Sequence, residues 1–363
     1  MNMSMTNSFS PGMMPVTLSG LGVQTSTGLT LPASSAAWRG RLNAFKECSY
    51  LRSSISENAL TVAFLETLSE ETFCLDRMKA MTHEAVRECL QALLVDNGCE
   101  EPLPVLLALP APRPGLEAKE LGALAKQIIA NMPLAVDIPR CSMIMTGHAG
   151  GLMVLGQAIA LIASGNASAC VVCGIESYKN IDTLHWLESQ NRLKSIAQPH
   201  GFIPGEAAGA VLVTNLEFAK KYHLPSFAQV LATCHSMEPK PWYTFELSIA
   251  EGLTKTFHGV LTADMPIANE TWADLNGELW RAEEWALAYI RTGSRHGEPL
   301  AIHHPCESWG DVGAASGILL AALSGYELAR RRQHGMTAFI WTASDTTPLR
   351  SACLLRYLEE VKR

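Results

Sequence analysis

The sequence predicts an α/β fold built from two similar halves, and three observations lead there. Apolar runs of strand length alternate with amphipathic runs of helix length along most of the chain, the pattern of layered helices around buried sheets. Charged residues make up only 17% of the 363, against 48% hydrophobic. Average soluble proteins carry about 25% charged residues, so much surface is buried, within the fold or at a subunit interface, and global disorder is excluded. The segment GHAGGLMVLGQAIALIASG (147–165) has a counterpart in GDVGAASGILLAALSG (310–325), each followed by an apolar strand, which points to an internal duplication. The seam is expected near residue 216, giving halves at 15–215 and 216–363 behind a loose N-terminus at 1–14.

The elements follow in order. PVTLSGLGVQTSTG is a short β-type run entering a Gly/Ser/Thr-rich turn. Residues 70–95 place apolar side chains at three-four spacing and predict a helix. Leu103 to Leu109 is an apolar run between prolines, a buried strand, and KELGALAKQIIANM is the next helix. MIMTGHAGG leads into the helix LMVLGQAIALIASG, SACVVCGIES is a strand, and GFIPGEAAGAVLVTN is a Gly-rich turn feeding another. In the second half FAQVLATCHS reads as a strand and IAEGLTKTFHGVL as a helix. WADLNG ends a strand, RAEEWALAYIRTG is a helix and PLAIHHP a short strand. VGAASGILLAALSGYELARRR is a helix of small and apolar residues, and AFIWTAS a final strand.

Charge and cysteine usage exclude several classes. The net charge of -7 leaves no basic excess for a phosphate backbone, so nucleic acid is not an expected partner. The N-terminal stretch lacks a positive charge before an apolar core and is not read as a signal peptide. Ala149 to Ser164, the most apolar stretch, is too short for a membrane span of about 20 residues. Ten cysteines lie scattered through apolar stretches, unlike a dense secreted disulfide framework, and point to a reducing, cytoplasmic setting. Cys170 and Cys173 read CxxC, but three apart on a strand they face opposite ways and read as buried thiols. His303, His304 and Cys306 adjoin Pro305, which breaks the strand, so no metal is expected there. Gly150, Gly151, Gly205 and Gly209 show neither Rossmann nor P-loop spacing and read as close-packing positions, with no cofactor implied. Glu206 reads as a structural acid tied to a neighbouring loop.

Several of these blocks together resemble the β-ketoacyl-acyl-carrier-protein synthases of the thiolase superfamily. VTLSGLGVQTSTG is similar to their opening strand and turn, and DRMKAMTHEAVRECLQALL to their first long helix. TGHAGGLMVLGQAIALIASGNASACVVCGIES is similar to their nucleophile helix and following strand. GFIPGEAAGAVLV matches their Gly-rich loop, and DLNGE and WGDVGAASG their later active-site loops. The resemblance runs from about Val16 to Ser344. It implies a thiolase fold, two α/β halves stacked in five layers (α-β-α-β-α), and a homodimer.

The family's chemistry uses a Cys thiolate at a helix N-terminus, which lowers thiol pKa, and two histidines that assist decarboxylation. Carried over residue by residue, the nucleophile position is His148. The first histidine position is Glu278, and the second is Gly310 or Asp311 depending on register. The family's Lys upstream is replaced by Pro305 or Cys306. With all three positions changed, ordinary condensation is not expected. The positive end of a helix disfavours a charged imidazole, so His148 is expected to be neutral. His148, Glu278 and Asp311 can be read as an acid-base constellation, as a metal site, or as a polar cluster refilling a relic pocket. The relic reading is preferred, because no hydroxyl or thiol nucleophile with an activating partner stands beside them. Trp272, Trp280, Trp285 and Trp309 crowd the altered loops and read either as interface anchors or as plugs of the former acyl channel. PKPWY (239–243) reads as an exposed loop.

Three functions follow. The first is a pseudoenzyme that works by protein binding. Its resemblance to degenerate thiolase-like proteins encoded beside type VI secretion effectors implies a role as accessory factor or chaperone in effector loading. Its partners would then be a secreted effector or another accessory protein. The second is an acyl-processing enzyme with His148 as base, acting on thioesters of acyl carrier protein or coenzyme A. The third is a non-catalytic subunit of a true ketosynthase, although chain-length factors usually carry Gln rather than His at the nucleophile position.

Overall fold

The computed structural model describes residues 5–8, 15–53, 58–95 and 99–357. The first half contains β1 (Met5–Ser8), β2 (Val16–Thr25), α1 (Leu31–Arg39), β3 (Lys46–Arg52), β4 (Ala59–Val62), α2 (Cys74–Cys89) and α3 (Gln91–Val95). It continues through β5 (Val105–Leu109), α4 (Ala118–Ala130), β6 (Ser142–Met145), α5 (Gly150–Ala163), β7 (Ala169–Ser177), α6 (Ile181–Ser189), β8 (Glu206–Asn215) and α7 (Leu216–Lys221). The second half contains β9 (Ala228–Met237), α8 (Glu251–Val260), β10 (Glu270–Ala273), α9 (Leu279–Thr292), β11 (Ile302–His303), α10 (Cys306–Trp309), α11 (Ser316–Arg331), β12 (Thr337–Ala343) and β13 (Leu349–Arg356).

The strands repeat one topology. The order β6-β5-β7-β8-β2 in the first half is matched by β11-β10-β12-β13-β9 in the second. In both, the first three strands of that order are mutually parallel and the next two pair antiparallel. The two sheets join where Val16–Leu18 of β2 pairs with Ala228–Val230 of β9. Helices α2 and α4 cover the outer face of the first sheet, α8 and α9 that of the second, and α5 and α11 pack between them. Three apolar clusters fill the resulting five layers: around α2 and α4, around α5 and α11, and around α8. Strands buried on both faces need unbroken apolar runs, which is why β5, β7, β8 and β12 are continuous in sequence rather than alternating.

The central helices cross at glycine. A Cβ on Gly151 of α5 would lie 3.0 Å from Gly317 Cα of α11, and the contact is reciprocal. A Cβ on Gly209 would meet Ile318 in the same way, and one on Gly205 would lie 2.4 Å from the Trp309 carbonyl oxygen. These glycines serve close packing.

Cys170 and Cys173 point to opposite faces of β7, into the central and outer clusters respectively. Glu206 is fully buried, accepting from Leu65 N–H at 2.7 Å, Arg77 Nε at 2.8 Å and Ser177 Oγ at 2.8 Å.

Four differences from expectation stand out. Met5–Ser8, inside the stretch expected to be loose, pairs antiparallel with β9; residues 1–4 and 9–14 lie outside the described residues. The run 70–95 breaks at Leu90 into α2 and α3. AFIWTAS is not the last strand, because β13 returns from it and pairs with both β12 and β9. The β3–β4 hairpin, α1 and α6 carry weaker periodicity and were not expected. Helix α7 starts at the expected seam of 216, yet Phe218 and Ala219 pack into the first half's outer cluster. No described helix is long and apolar enough to cross a membrane.

Candidate active site

The family-like positions come together between the two halves. His148 sits in a 3-10 turn (Gly147–Ala149) that runs into α5, at the end of the loop from β6. The turn needs Gly147, whose φ is +68°, a conformation that side chains with a Cβ resist. Ala149 N–H donates to Ser344 Oγ at 3.0 Å, and Ser344 Oγ donates to the Thr146 carbonyl, which locks the turn to the β12–β13 connection.

His148 is buried between two aspartates. Its Nε2 lies 3.0 Å from both carboxylate oxygens of Asp311. Its Nδ1 faces Asp345 Oδ1 at 3.4 Å, as an ion pair off the line of a hydrogen bond. Asp311 also accepts from Gly313 N–H at 2.8 Å, Asn276 Nδ2 at 2.5 Å and Tyr178 Oη at 3.3 Å. Asp311, not Gly310, therefore presents the side chain to the site; Gly310 has φ +74° and turns the backbone beside it.

Glu278 joins the cluster through other residues. Asn276 Nδ2 bridges it to Asp311, at 3.1 Å from Glu278. Arg192 holds the Glu278 carboxylate with Nε at 2.7 Å and a second nitrogen at 3.1 Å, and reaches Asp345 at 2.8 Å. Arg281 pairs with Asp274 at 2.9 Å and with Glu278 at 3.4 Å. Arg192 lies over the rings of Phe202 and Trp242, and Trp242 stacks near Trp280 and donates to the Asp345 carbonyl at 2.9 Å. Arg192, Arg281, Asn276 and Asp345 were missed from sequence. No local pattern marks them: Arg192 and Asp345 stand in polar loops and Arg281 in the first turn of α9, where a charged residue reads as solvent-facing.

The electrostatics correct one expectation. Burial works against a charged imidazole, but Asp311, with Asp274 and Asp345 behind it, outweighs burial and the opposing Arg281, so the His148 pKa rises to about 10. His148 is therefore an imidazolium at neutral pH, not the neutral ring expected from the helix end. Two facing carboxylates at 3.0 and 3.4 Å outweigh a partial dipole charge. Despite burial, Asp311 and Asp345 are held well below the usual carboxylate range by His148, Arg192 and Arg281. Burial pushes the Cys306 thiol and Tyr178 hydroxyl far up, so neither ionises at neutral pH.

The site is nearly full. The space left beside Asp274, Asn276, Cys306, Trp309 and Asp311 is about 10 Å³, about one water molecule. Trp272, Trp285 and Trp309 are buried, which corrects their reading as interface anchors. Trp272 packs on Trp38 and His303, and Trp285 stacks on Trp341. Trp309 lines the residual space. Trp242 and Trp280 stay half-buried, over the arginines. Within PKPWY, Pro239 and Lys240 are exposed and Pro241 is buried. Among the described residues, no group of three His, Cys, Asp or Glu side chains is arranged to hold a metal ion.

The fold is that of the thiolase-like ketosynthases. The chain superposes on the ishigamide ketosynthase/chain length factor with a TM-score of 0.76 at 15% identity, covering 96% of this chain and 100% of that one. It is similarly close to the ketosynthase from module 6 of the bacillaene synthase of Bacillus subtilis 168, with TM-score 0.77, 10% identity, and coverage of 95% and 72%. A type II ketosynthase solved in complex with its acyl-carrier protein gives 0.73 at 14% identity, with coverage of 95% and 100%. No family model and no curated protein matches the sequence.

Proposed function

We propose that this chain is a ketosynthase-fold pseudoenzyme that acts by binding other proteins. The observation behind this reading is the closed ion cluster at the catalytic position. An acyl-transfer centre needs a nucleophile and room for a thioester. Here the nucleophile position is an imidazolium with both nitrogens facing carboxylates, and the space on the other side of Asp311, beside Asp274, Asn276 and Trp309, is only about 10 Å³. Such a ring offers no lone pair for nucleophilic attack or general-base work, which weighs against acyl processing through His148. The carboxylates are held by guanidinium groups, which weighs against a metal.

We infer further that its partners are secretion effectors or their accessory proteins, as the resemblance to thiolase-like proteins of type VI effector clusters implies. A second reading, a silent partner of a ketosynthase, is favoured by the likeness to a ketosynthase/chain length factor. Self-association has its own support. Strand β6 lies at the outer edge of the first sheet, where Ser142–Met145 is only partly buried and Met143 is 45% exposed. An open edge is a template for a second strand, and a homodimer would cover it.

The test is affinity purification of the tagged full chain from its native host, followed by mass spectrometry. A secreted effector or accessory protein supports the first reading, and a thiolase-fold partner the second. An acyl carrier protein with an acyl mass increment on the bait overturns both.

A further inference from the structure

While the ion cluster is closed, an open apolar groove lies elsewhere. It has a volume of about 620 Å³ and runs along α2, against the end of α4 and the loop after β4. That is the size of small-molecule sites, roughly 300–1,000 Å³. Its floor is Leu65, Met81, Val86 and Ile128, all buried, with Leu68 and Met132 half-buried beside them.

The rim adds a sign of charge. Glu84 is engaged by His83 at 3.0 Å and Arg87 at 3.3 Å. Asp76 stands in the first turn of α2, where the helix's own positive end offsets it. Lys79, half-buried on the same helix, makes no ion pair among the described residues. An apolar floor with one uncompensated ammonium at its edge suits a molecule with an apolar body and an anionic head.

We propose that this groove binds a single-chain amphiphile, its acyl chain on the Leu65–Met81–Ile128 floor and its anionic head on Lys79. The occupant is a free monomer rather than a bilayer. The site is separate from the ion cluster and does not depend on that cluster being silent.

The test titrates the full chain with dodecanoate, below its micelle concentration, by calorimetry. Saturable one-to-one binding is expected, with dodecanol about fivefold weaker, the upper end of what a solvent-facing ion pair supplies. Lys79→Glu should weaken dodecanoate by about tenfold and leave dodecanol unchanged. Ala80→Trp should block both; if it does not fold, Thr67→Trp on the exposed side of the groove replaces it. The proposal is overturned if no saturable binding is seen, or if Lys79→Glu leaves dodecanoate binding unchanged. Co-sedimentation with anionic phosphatidylglycerol vesicles in the absence of monomer binding overturns it equally.

Discussion

At the scale of single residues, His148 decides how the site is read. Removing one member of a buried ion pair strands the other charge, at a cost of about 3–5 kcal/mol. His148→Gln should therefore unfold at markedly lower urea near pH 6. The sign of the pH dependence follows from the pKa. The folded value of about 10 lies above the unfolded value of 6.5, so the stabilisation is complete below pH 6.5 and fades as pH rises through 10. The gap between wild type and His148→Gln should accordingly narrow between pH 6 and pH 9.5; a constant gap would mean that His148 is neutral. Asp311 and Asp345, held low, contribute in the opposite window, above about pH 4, and lose that contribution on acidification. A thiol placed there meets the same carboxylates, so His148→Cys should resist iodoacetamide at pH 8, unlike a thiol activated by a helix end. His148 and Glu278 were named from the sequence through the family-like blocks around them, and Asp311 only as one of two registers with Gly310. The charge on His148 was not legible, because Asp345 and Arg192 reach it from connections remote in the chain.

At the scale of elements, two couplings are open to measurement. Arg77 of α2 and Glu206 of β8 form a fully buried pair. Arg77→Met should cost about 3–5 kcal/mol in urea unfolding, and adding Glu206→Leu should restore part of it, because the stranded carboxylate is then gone. At the helix crossing, Gly317→Val should cost about 1–3 kcal/mol or more, since α5 would have to move off α11. Elements with long apolar or amphipathic runs, such as α4, α5, α11 and β7, fall within a few residues of where the sequence places them. The strand β13 was missed because Arg350 interrupts its apolar run. The structure buries that arginine against Glu284 at 2.7 and 2.8 Å, a pairing no local pattern reveals. The β3–β4 hairpin and α6 are short, and they pack on one another in a satellite cluster.

At the scale of the whole molecule, the duplicated strand order and the small residues along α5 and α11 explain how so few charges suffice. The two sheets bury both faces against a shared middle layer, and one cluster of buried charge lies where the halves meet. There His148, Tyr178 and Arg192 from the first half meet Asp274, Asn276, Glu278, Asp311 and Asp345 from the second. The cluster therefore ties the first half to the second. If the open β6 edge is covered by a second copy, Met143→Lys should shift the chain from dimer to monomer in light scattering. The most direct test of catalytic silence is the intact mass of the purified chain after incubation with acyl-coenzyme A and acyl carrier protein thioesters. A closed, imidazolium-centred site predicts an unchanged mass and no released thiol above background. A stoichiometric acyl increment that disappears in His148→Ala would contradict it.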